Sequence, residues 1–242
     1  MMGNSGWQSR TALLIDEGNV EKLHHAHVLI AGLGGVGGMA AEMICRAGVG
    51  NITIVDGDKI QASNRNRQIV ALTSTENKEK AKVMEERLLD INPQLNLRVF
   101  SHFTTEQLTI DILKQNYDYV LDAIDTLSPK IYLLYHAIQM KHRVVSSMGA
   151  GGKLDPLQLQ IADISETHTC KLAFDLRKRL RRMGVTNGIK AVFSAEAVAN
   201  TSVVRVEGEK NKKSMVGTIS YMPAVFGCVC ASIVIRDLIE GN

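Results

Sequence analysis

Cysteine, proline and aromatic residues are all scarce in this chain. Its 242 residues include four cysteines, four prolines and a single tryptophan. Cys45, Cys170, Cys228 and Cys230 form no CxxC pair, which excludes the paired thiolates of the common structural zinc sites. The opening residues also lack the pattern of a secretory signal. We therefore expect a reduced, cytoplasmic protein that binds no zinc.

No apolar run in the sequence is long enough to span a bilayer. The longest, residues 221–235, contains Pro223 and stops at Arg236, short of the roughly 20 residues that a membrane helix needs. It predicts a buried C-terminal helix and no membrane segment, with surface membrane contact or a subunit interface as alternatives. The formal net charge of +3 is too small to identify a partner unless the charge is clustered.

Short β-branched runs alternate with helical patterns along the first half of the chain. This alternation is typical of a parallel sheet flanked by helices. It predicts a Rossmann-like, doubly wound α/β fold with a mainly parallel sheet. The predicted strands are 27–31, 52–56, 95–100, 117–122 and 143–147, and the predicted helices are 36–47, 78–90, 104–115 and 129–141.

The pattern changes after Gly149. A glycine-rich loop at 149–152 precedes a predicted strand near 157–163, a basic helix and a strand near 191–194. Residues 205–214 have the composition of a mobile surface loop. We expect a single domain over 1–242, with a nucleotide-binding half at 1–148 and a mixed α/β extension at 149–242 for substrate binding and dimerisation.

A glycine-rich loop follows the first predicted strand and opens a helix. Gly32, Gly34, Gly35 and Gly37 let phosphate approach the free N–H groups at the helix N-terminus. Asp56 ends the next strand, where a carboxylate can accept hydrogen bonds from ribose hydroxyls. The pattern predicts a nucleotide site but does not choose between NAD and ATP, and a tight turn without ligand is the alternative.

A polar cluster directly after Asp56 favours ATP chemistry. Transfer of an adenylyl group builds charge on phosphate that fixed cations must stabilise, whereas hydride transfer has no evident need of them. The cluster contains Asp58, Asn64, Arg67 and Gln68, and Lys80 follows it. Solvated charges at Arg67 and Lys80, and turn caps at Asn64 and Gln68, are the alternatives.

Here the chain resembles the ubiquitin-activating-like adenylyltransferase superfamily, which includes the enzymes that activate sulfur-carrier proteins. The matching features are the GLGGVG loop, the D-G-D pair at 56–58, the S-N-x-x-R-Q run at 63–68, Lys80 and the D-A-I-D segment at 122–125. The resemblance implies an adenylating enzyme that uses ATP and Mg²⁺.

The resemblance also implies roles for single residues. Asp56 would hold the ribose, and Asp125 would bind Mg²⁺ or position the nucleotide, whereas Asp122 is expected to be structural. Arg10 matches an arginine that reaches the triphosphate from the partner subunit of a homodimer. Arg67, Lys80, Asp125 and Arg10 form the implied catalytic set, and Gly32, Gly34, Gly35, Gly37, Asp56, Asp58, Asn64 and Gln68 form the implied nucleotide-binding set.

Several regions resemble one branch of that superfamily, the tRNA threonylcarbamoyladenosine dehydratases. The features are NRNRQIVAL at 64–72, INP at 91–93, GAGGKLDP at 149–156, the basic helix after Thr169 and VFSAE at 192–196. The similarity runs from about Arg10 to the C-terminus, although 197–220 matches loosely. It implies ATP-dependent activation of the threonyl carboxylate on a modified adenosine next to the anticodon, then ring closure with loss of AMP.

The basic helix offers a surface for tRNA. Over residues 171–183, Leu172, Leu176 and Leu180 form an apolar stripe, and cations occupy the remainder. We expect this helix to contact RNA phosphates, and a merely solvated face is the alternative. The candidate residues are Arg177, Lys178, Arg181 and Arg182.

Three other functions compete with this interpretation. Activation of the C-terminal glycine of a sulfur carrier is disfavoured, because the relatives that do so usually carry two CxxC pairs. NAD-dependent oxidoreduction and a noncatalytic nucleotide-binding subunit are the others. A sulfur-transfer protein would be a further partner, and Cys170 is the candidate cysteine for such a relay.

Overall fold

Strands and helices alternate through the first half of the chain. We describe residues 6–102, 105–205 and 214–241 of a computed structural model. Two helices precede the first strand. The elements of this half are α1 (Ser9–Ile15), α2 (Glu17–His25), β1 (His27–Ala31), α3 (Gly35–Arg46), β2 (Asn51–Val55), α4 (Lys80–Ile91), β3 (Asn96–Phe100), α5 (Glu106–Leu113), β4 (Tyr119–Asp122), α6 (Leu127–Gln139) and β5 (Val144–Ser147).

The second half adds two strands to the main sheet, a small hairpin and two long helices. Its elements are β6 (Leu159–Asp163), α7 (Lys171–Arg182), β7 (Lys190–Ser194), β8 (Val203–Arg205), β9 (Ser214–Val216) and α8 (Tyr221–Glu240). The strands predicted near 157–163 and 191–194 and the basic helix between them are all present. The hairpin was not predicted, and residues 206–213 of the expected mobile loop lie outside the described residues.

A seven-stranded sheet in the order β3-β2-β1-β4-β5-β7-β6 forms the centre of the protein. Every neighbouring pair is parallel except β6 with β7. The central strands are apolar along their length because helices cover both faces; in β1, for example, Val28, Leu29 and Ile30 are fully buried. The prediction of a doubly wound, mainly parallel α/β fold is confirmed.

Each face of the sheet has its own apolar core. On one face α3, α4 and α8 pack against alternate strand residues, among them Val28 and Ile30. On the other face α5, α6 and α7 pack against the intervening residues, such as Leu29 and Ala31. Since all strands but β6 run the same way, the loops that follow β1, β2, β4, β5 and β7 converge on one edge, which we call the carboxyl edge.

Helix α8 is longer than the sequence predicted. It ends at Glu240, and its length and apolar composition would suffice to cross a membrane, so the argument from a short apolar run was wrong. Half of the most apolar stretch of the helix is nevertheless buried inside the protein, where α8 packs along α3. The Lys22 ammonium also donates to the Ile239 carbonyl at 2.9 Å. These contacts are those of a core helix, as expected.

Gly227 allows α3 and α8 to approach closely. A Cβ at this position would lie 2.4 Å from the Val36 carbonyl oxygen and 3.0 Å from Met39 Cβ. We expect Gly227→Ala to lower the free energy of unfolding by about 1–3 kcal/mol, since the backbone of α3 must move. Urea denaturation measures this loss. Ser232→Ala, on the exposed side of α8, should change it by less than about 0.5 kcal/mol. A stabilised Gly227→Ala protein would show that the helices do not touch here.

Candidate functional site

The glycine loop between β1 and α3 is shaped by two close approaches. Gly32 has φ +88° and donates its N–H to the Val55 carbonyl at 2.8 Å. A Cβ at Gly37 would lie 1.7 Å from the Gly32 carbonyl oxygen. Gly34, by contrast, precedes α3 without a close approach, and the nearest atom to its Cβ position is Gln68 Nε2 at an ordinary contact distance of 3.8 Å. The helix N-terminus is therefore accessible to an anion.

Asp56 ties this loop to the turn after β2. One carboxylate oxygen accepts the Leu33 N–H at 2.6 Å, and the other accepts the Asp58 N–H at 2.8 Å. Burial raises the pKa of the Asp56 carboxyl, while Lys80 and the two N–H donors act in the opposite direction. The residue predicted to hold a ribose therefore also holds the loop in shape.

Lys80 is a buried cation at the start of α4. Its side-chain ammonium lies 2.7 Å from an Asp58 carboxylate oxygen, and its backbone N–H donates to the Asp58 backbone carbonyl at 3.0 Å. A lysine is unfavourable at a helix N-terminus, where the dipole already presents positive charge. Asp58 compensates for that cost, and the pair keeps a cation fixed beside Asp56.

The turn at 61–68 brings the predicted amides and Arg67 to the same edge. Asn64 is buried and its side-chain oxygen accepts the Gln61 N–H at 3.0 Å, so the turn-capping role is real. Arg67 is half-buried and donates to the Ser63 carbonyl at 3.0 Å. Gln68 lies next to Gly34, and its buried Oε1 has no hydrogen-bond partner among the described residues. Its amide therefore has capacity left for a ligand.

A buried ion pair supports the neighbouring loop after β4. The Lys130 ammonium lies 2.6 Å from Asp122, and both side chains are fully buried. Asp122 also accepts the Ser146 hydroxyl at 2.6 Å, and Lys130 donates to the Ser147 carbonyl at 2.8 Å. Asp122 is structural, as expected. The role of Lys130 was not predicted, because a single lysine in a helix is ordinarily solvated.

Asp125 lies in this supported loop, three residues beyond Asp122, and is exposed. The loop borders the glycine loop, since a Cβ at Gly32 would lie 2.8 Å from the Ala123 carbonyl oxygen. Asp125 is therefore carried on backbone that touches the glycine loop. Asp125 therefore lies at the carboxyl edge, and its role toward Mg²⁺ or the nucleotide stays a prediction.

Arg10 is not brought to these residues within one subunit. The side chain of Gln8, two residues before it, donates to the Ala47 carbonyl at 3.5 Å and packs against Gly48. That is the far end of α3, about 17 Å from the glycine loop at 1.5 Å per residue. Arg10 itself is exposed on α1.

A second glycine-rich loop follows β5 at the carboxyl edge. Gly152 has φ +70° and donates its N–H to the Gly217 carbonyl at 2.7 Å. Lys153 is buried, which lowers the pKa of its amine, and it donates to the Glu196 carbonyl. The Glu196 carboxylate accepts the Leu154 N–H at 2.9 Å. These bonds close the loop onto the segment after β7.

Helix α7 begins next to this second loop and carries the predicted RNA-binding cations on its exposed side. It is buried through Ala173, Leu176 and Leu180, while Leu172 is only partly covered. The buried stripe therefore contains Leu176 and Leu180 as predicted, with Ala173 in place of Leu172. Phe174 is exposed on this helix, and the sequence pattern gave it no role.

The cysteines do not gather around a metal. Among the described residues, no three His, Cys, Asp or Glu side chains are placed to hold one. Burial raises the pKa of the Cys230 thiol to about 12, whereas Cys228, expected to be buried too, is exposed. Cys170 is buried directly before α7, 3.7 Å from where a Cβ of Gly149 would lie.

Comparison with known proteins gives matches along nearly the whole chain. The model of the ThiF family matches residues 8–241. The tRNA threonylcarbamoyladenosine dehydratase of Bacillus subtilis is 36% identical over 239 residues, which cover 96% of this chain and 94% of the relative. Crystal structures of the Escherichia coli dehydratase TcdA with ATP and with AMP superpose with TM-scores of 0.89 and 0.88. Both are 34% identical and cover 98% of this chain and 97% of that chain.

The Asp122–Lys130 pair generates a stability prediction. Lys130→Met leaves a buried carboxylate without its cation and should lower the free energy of unfolding by about 3–5 kcal/mol. The double variant Asp122→Asn/Lys130→Met removes both charges and should recover most of that loss. Urea denaturation of the single and double variants gives the coupling. If the double variant is no more stable than Lys130→Met, the pair does not carry the charge coupling described here.

Proposed function

Because the chain belongs to the ThiF family, we propose that it is an ATP-dependent tRNA threonylcarbamoyladenosine dehydratase. The observation that carries the proposal is the 36% identity to a dehydratase across 96% of this chain. The match includes the extension at 149–242 as well as the nucleotide-binding half. In this function the enzyme is a cyclising ligase that works through an adenylate.

The reaction has two steps. In the first, an oxygen of the threonyl carboxylate bonds to the α-phosphorus of ATP, and the bond to pyrophosphate breaks. In the second, a nucleophilic atom of the same modified nucleoside bonds to the activated carbonyl carbon. The ring closes, and the bond from that carbon to AMP breaks. Over both steps the nucleoside loses one water and ATP yields AMP and pyrophosphate. The relative with known structure binds both ATP and AMP.

The groups at the carboxyl edge suit the first step. Phosphate would approach the helix N-terminus at Gly34, where the nearest side-chain group is the Gln68 amide. Lys80 and Arg67 supply positive charge that the fold holds in place, so they can stabilise charge on the phosphates without reorganising. Asp56 and the amides of Asn64 and Gln68 would hold the nucleoside and the phosphate oxygens.

A magnesium ion fits this site. Mg²⁺ in nucleotide enzymes is commonly held by one or two carboxylates together with the phosphates. Asp125 supplies one exposed carboxylate on the loop that touches the glycine loop. We assign Asp125 as the magnesium ligand. The ion would neutralise charge on the triphosphate when bound.

The site is completed in a homodimer. Gln8, two residues before Arg10, packs at the end of α3 remote from the glycine loop of the same subunit, so a partner subunit is the better source of this cation. Next to it on α1, Leu13 and Leu14 are 88% and 84% exposed. Two adjacent exposed leucines suit burial against a second copy of the chain.

The remaining partners follow from the substrate. Arg177, Lys178, Arg181 and Arg182 on α7 contact tRNA, and the protein acts in the cytoplasm without a membrane. Sulfur transfer from a partner protein would need an accessible thiol. Cys170 is buried, whereas Cys228 is exposed. Cys170 is therefore a poor site for such a relay.

Mass spectrometry of tRNA nucleosides tests the function. tRNA carrying threonylcarbamoyladenosine is incubated with the protein, ATP and Mg²⁺, and the modified nucleoside should lose one water. Lys80→Ala should slow the reaction by about 100-fold or more, since it removes a fixed cation at the phosphates. Lys82→Ala, an exposed lysine in the same helix, should leave the rate unchanged.

The outcomes of that experiment separate the competing functions. If the nucleoside mass stays unchanged while ATP binds, the dehydratase function is wrong, and pyrophosphate exchange with a sulfur-carrier protein becomes the next measurement. If Lys80→Ala and Lys82→Ala are equally active, the assignment of Lys80 is wrong even if the dehydratase function stands.

Mixing two inactive variants tests whether Arg10 acts across the dimer. In a mixed dimer of Arg10→Ala and Lys80→Ala subunits, one site has both residues only if Arg10 comes from the partner. Equal mixing should then restore roughly a quarter of the wild-type activity, since half of the dimers are mixed and each has one complete site. Arg67→Ala mixed with Lys80→Ala is the control, because both residues belong to one subunit's site, so neither site of a mixed dimer is complete and no activity should be recovered. If the Arg10→Ala and Lys80→Ala mixture stays as inactive as the control, Arg10 does not act across the dimer.

A further inference from the structure

Positive charge is concentrated on α7. The helix has six basic residues and one acidic residue, so it carries more positive charge than the whole chain, whose net charge is +3. The acidic residue, Asp175, pairs with Lys171 at 3.1 Å. Within the described ranges, no carboxylate lies within 4.0 Å of the other five cations. The cations beyond Lys171 are therefore left for an external anion.

Three of these cations share a face of α7 with an exposed aromatic ring. Phe174, Arg177, Lys178 and Arg181 have the spacing i, i+3, i+4 and i+7, which places them on one side of a helix. They line an open groove of about 230 Å³. Enclosed small-molecule sites are larger, at about 300–1,000 Å³. The groove therefore suits one face of a planar group lying against the surface.

Phe174 and Arg177 differ from ordinary solvated side chains. Phe174 is 56% exposed although Ala173 directly before it and Leu176 two residues after it are buried. Arg177 donates to the hydroxyl of Thr167, a buried residue that in turn donates to the Ile164 carbonyl at 2.8 Å. The guanidinium is thus oriented in advance, whereas a solvated arginine has no fixed direction.

The α7 surface lies close to the carboxyl edge. Cys170, the residue before the helix, is 3.7 Å from the Cβ position of Gly149, which follows β5 at that edge. Phe174 is one helical turn beyond Cys170. Strand β5 is two strands from β1, so the second glycine loop lies about 10 Å from the first. One RNA loop can reach from the nucleotide site to Phe174.

From these observations we propose that Phe174 stacks against an unpaired base of the tRNA while Arg177, Lys178 and Arg181 bind the flanking phosphates. An aromatic ring next to cations recognises single-stranded RNA, since every base has a π-face and every nucleotide a phosphate. A contact with phosphates alone would not require an exposed phenylalanine. The inference rests on the proposed function, because the unpaired bases next to threonylcarbamoyladenosine are those of the anticodon loop. Phe174 is a substrate-positioning residue in this scheme.

Binding of two labelled RNAs, followed by fluorescence anisotropy, tests the stacking. One RNA is an anticodon stem-loop, and the other is a blunt duplex of the same stem without unpaired bases. Phe174→Ala should raise Kd for the stem-loop by about 5- to 100-fold, the usual effect of losing one base-stacking ring. It should leave Kd for the duplex unchanged, and Phe174→Tyr should behave like the wild type on both RNAs.

Salt dependence separates stacking from charge. Lys178→Ala should reduce the slope of log Kd against log salt concentration by about 1, whereas Phe174→Ala should leave that slope unchanged. Lys114→Ala, an exposed lysine at the end of α5, removes the same charge and should change neither Kd nor slope. In turnover of the modified tRNA, Phe174→Ala should raise KM and leave kcat unchanged.

Each contrary result has a separate meaning. If the wild-type protein binds and dehydrates tRNA but Phe174→Ala binds the stem-loop equally well, the stacking inference is wrong and the proposed function stands. Equal weakening on the stem-loop and the duplex would also overturn the stacking, since the ring would then act on paired RNA. If the wild-type protein neither binds the stem-loop nor converts tRNA, the proposed function fails as well.

Discussion

The buried ion pair between Lys130 and Asp122 fixes the centre of the carboxyl edge. It joins the end of β4 to α6 and to the end of β5, and both side chains are shielded from water. Removal of two charges from water is costly, and here the cost is offset by the short ion pair and by hydrogen bonds from Ser146 and to Ser147. The loop at 123–125 begins at this pair and touches Gly32. The shape of the nucleotide site therefore depends on a pair of residues that do not line it.

The strand order explains why the site lies there. Strands β1, β2 and β3 extend to one side of the sheet, and β4, β5, β7 and β6 extend to the other, so the direction of winding changes between β1 and β4. At such a switch point the loops that follow the two strands diverge and leave a crevice at the carboxyl edge. The glycine loop leaves β1 at this crevice and the Asp125 loop leaves β4. The positive N-terminus of α3 and the exposed Asp125 carboxylate thus belong to the two loops that border this crevice, an arrangement that suits the nucleotide and magnesium ion we propose for it.

Much of this arrangement was predictable from local sequence, and the rest depends on contacts distant in the chain. The five strands of the first half and the glycine loop have patterns within a few residues, and Asp56 follows from where its strand ends. Lys80 and Asp125 were identified by the resemblance to the adenylyltransferase superfamily. Lys130 was missed because only the folded sheet brings its partner, Asp122, next to it. The local sequence LSPKIYLLY does not indicate that its lysine is buried. Phe174 was missed because its exposure depends on which side of α7 the fold covers. The displacement of Arg10 from the glycine loop depends on where Gln8 packs, which no pattern in the first ten residues indicates.

The antiparallel strand β6 determines how the two proposed sites, the nucleotide site and the α7 surface, are placed relative to each other. A parallel crossover would have placed the next helix directly after β5. Strand β6 instead runs antiparallel to the other strands, away from the carboxyl edge, and the chain returns to that edge before α7 begins. This return places the N-terminal end of a strongly basic helix beside the second glycine loop. Because α7 carries more positive charge than the whole chain, the rest of the protein has more acidic than basic residues. In the proposed function, an approaching RNA would be attracted to one face of the sheet, and its unpaired bases would arrive at the edge where Lys80 and Arg67 lie.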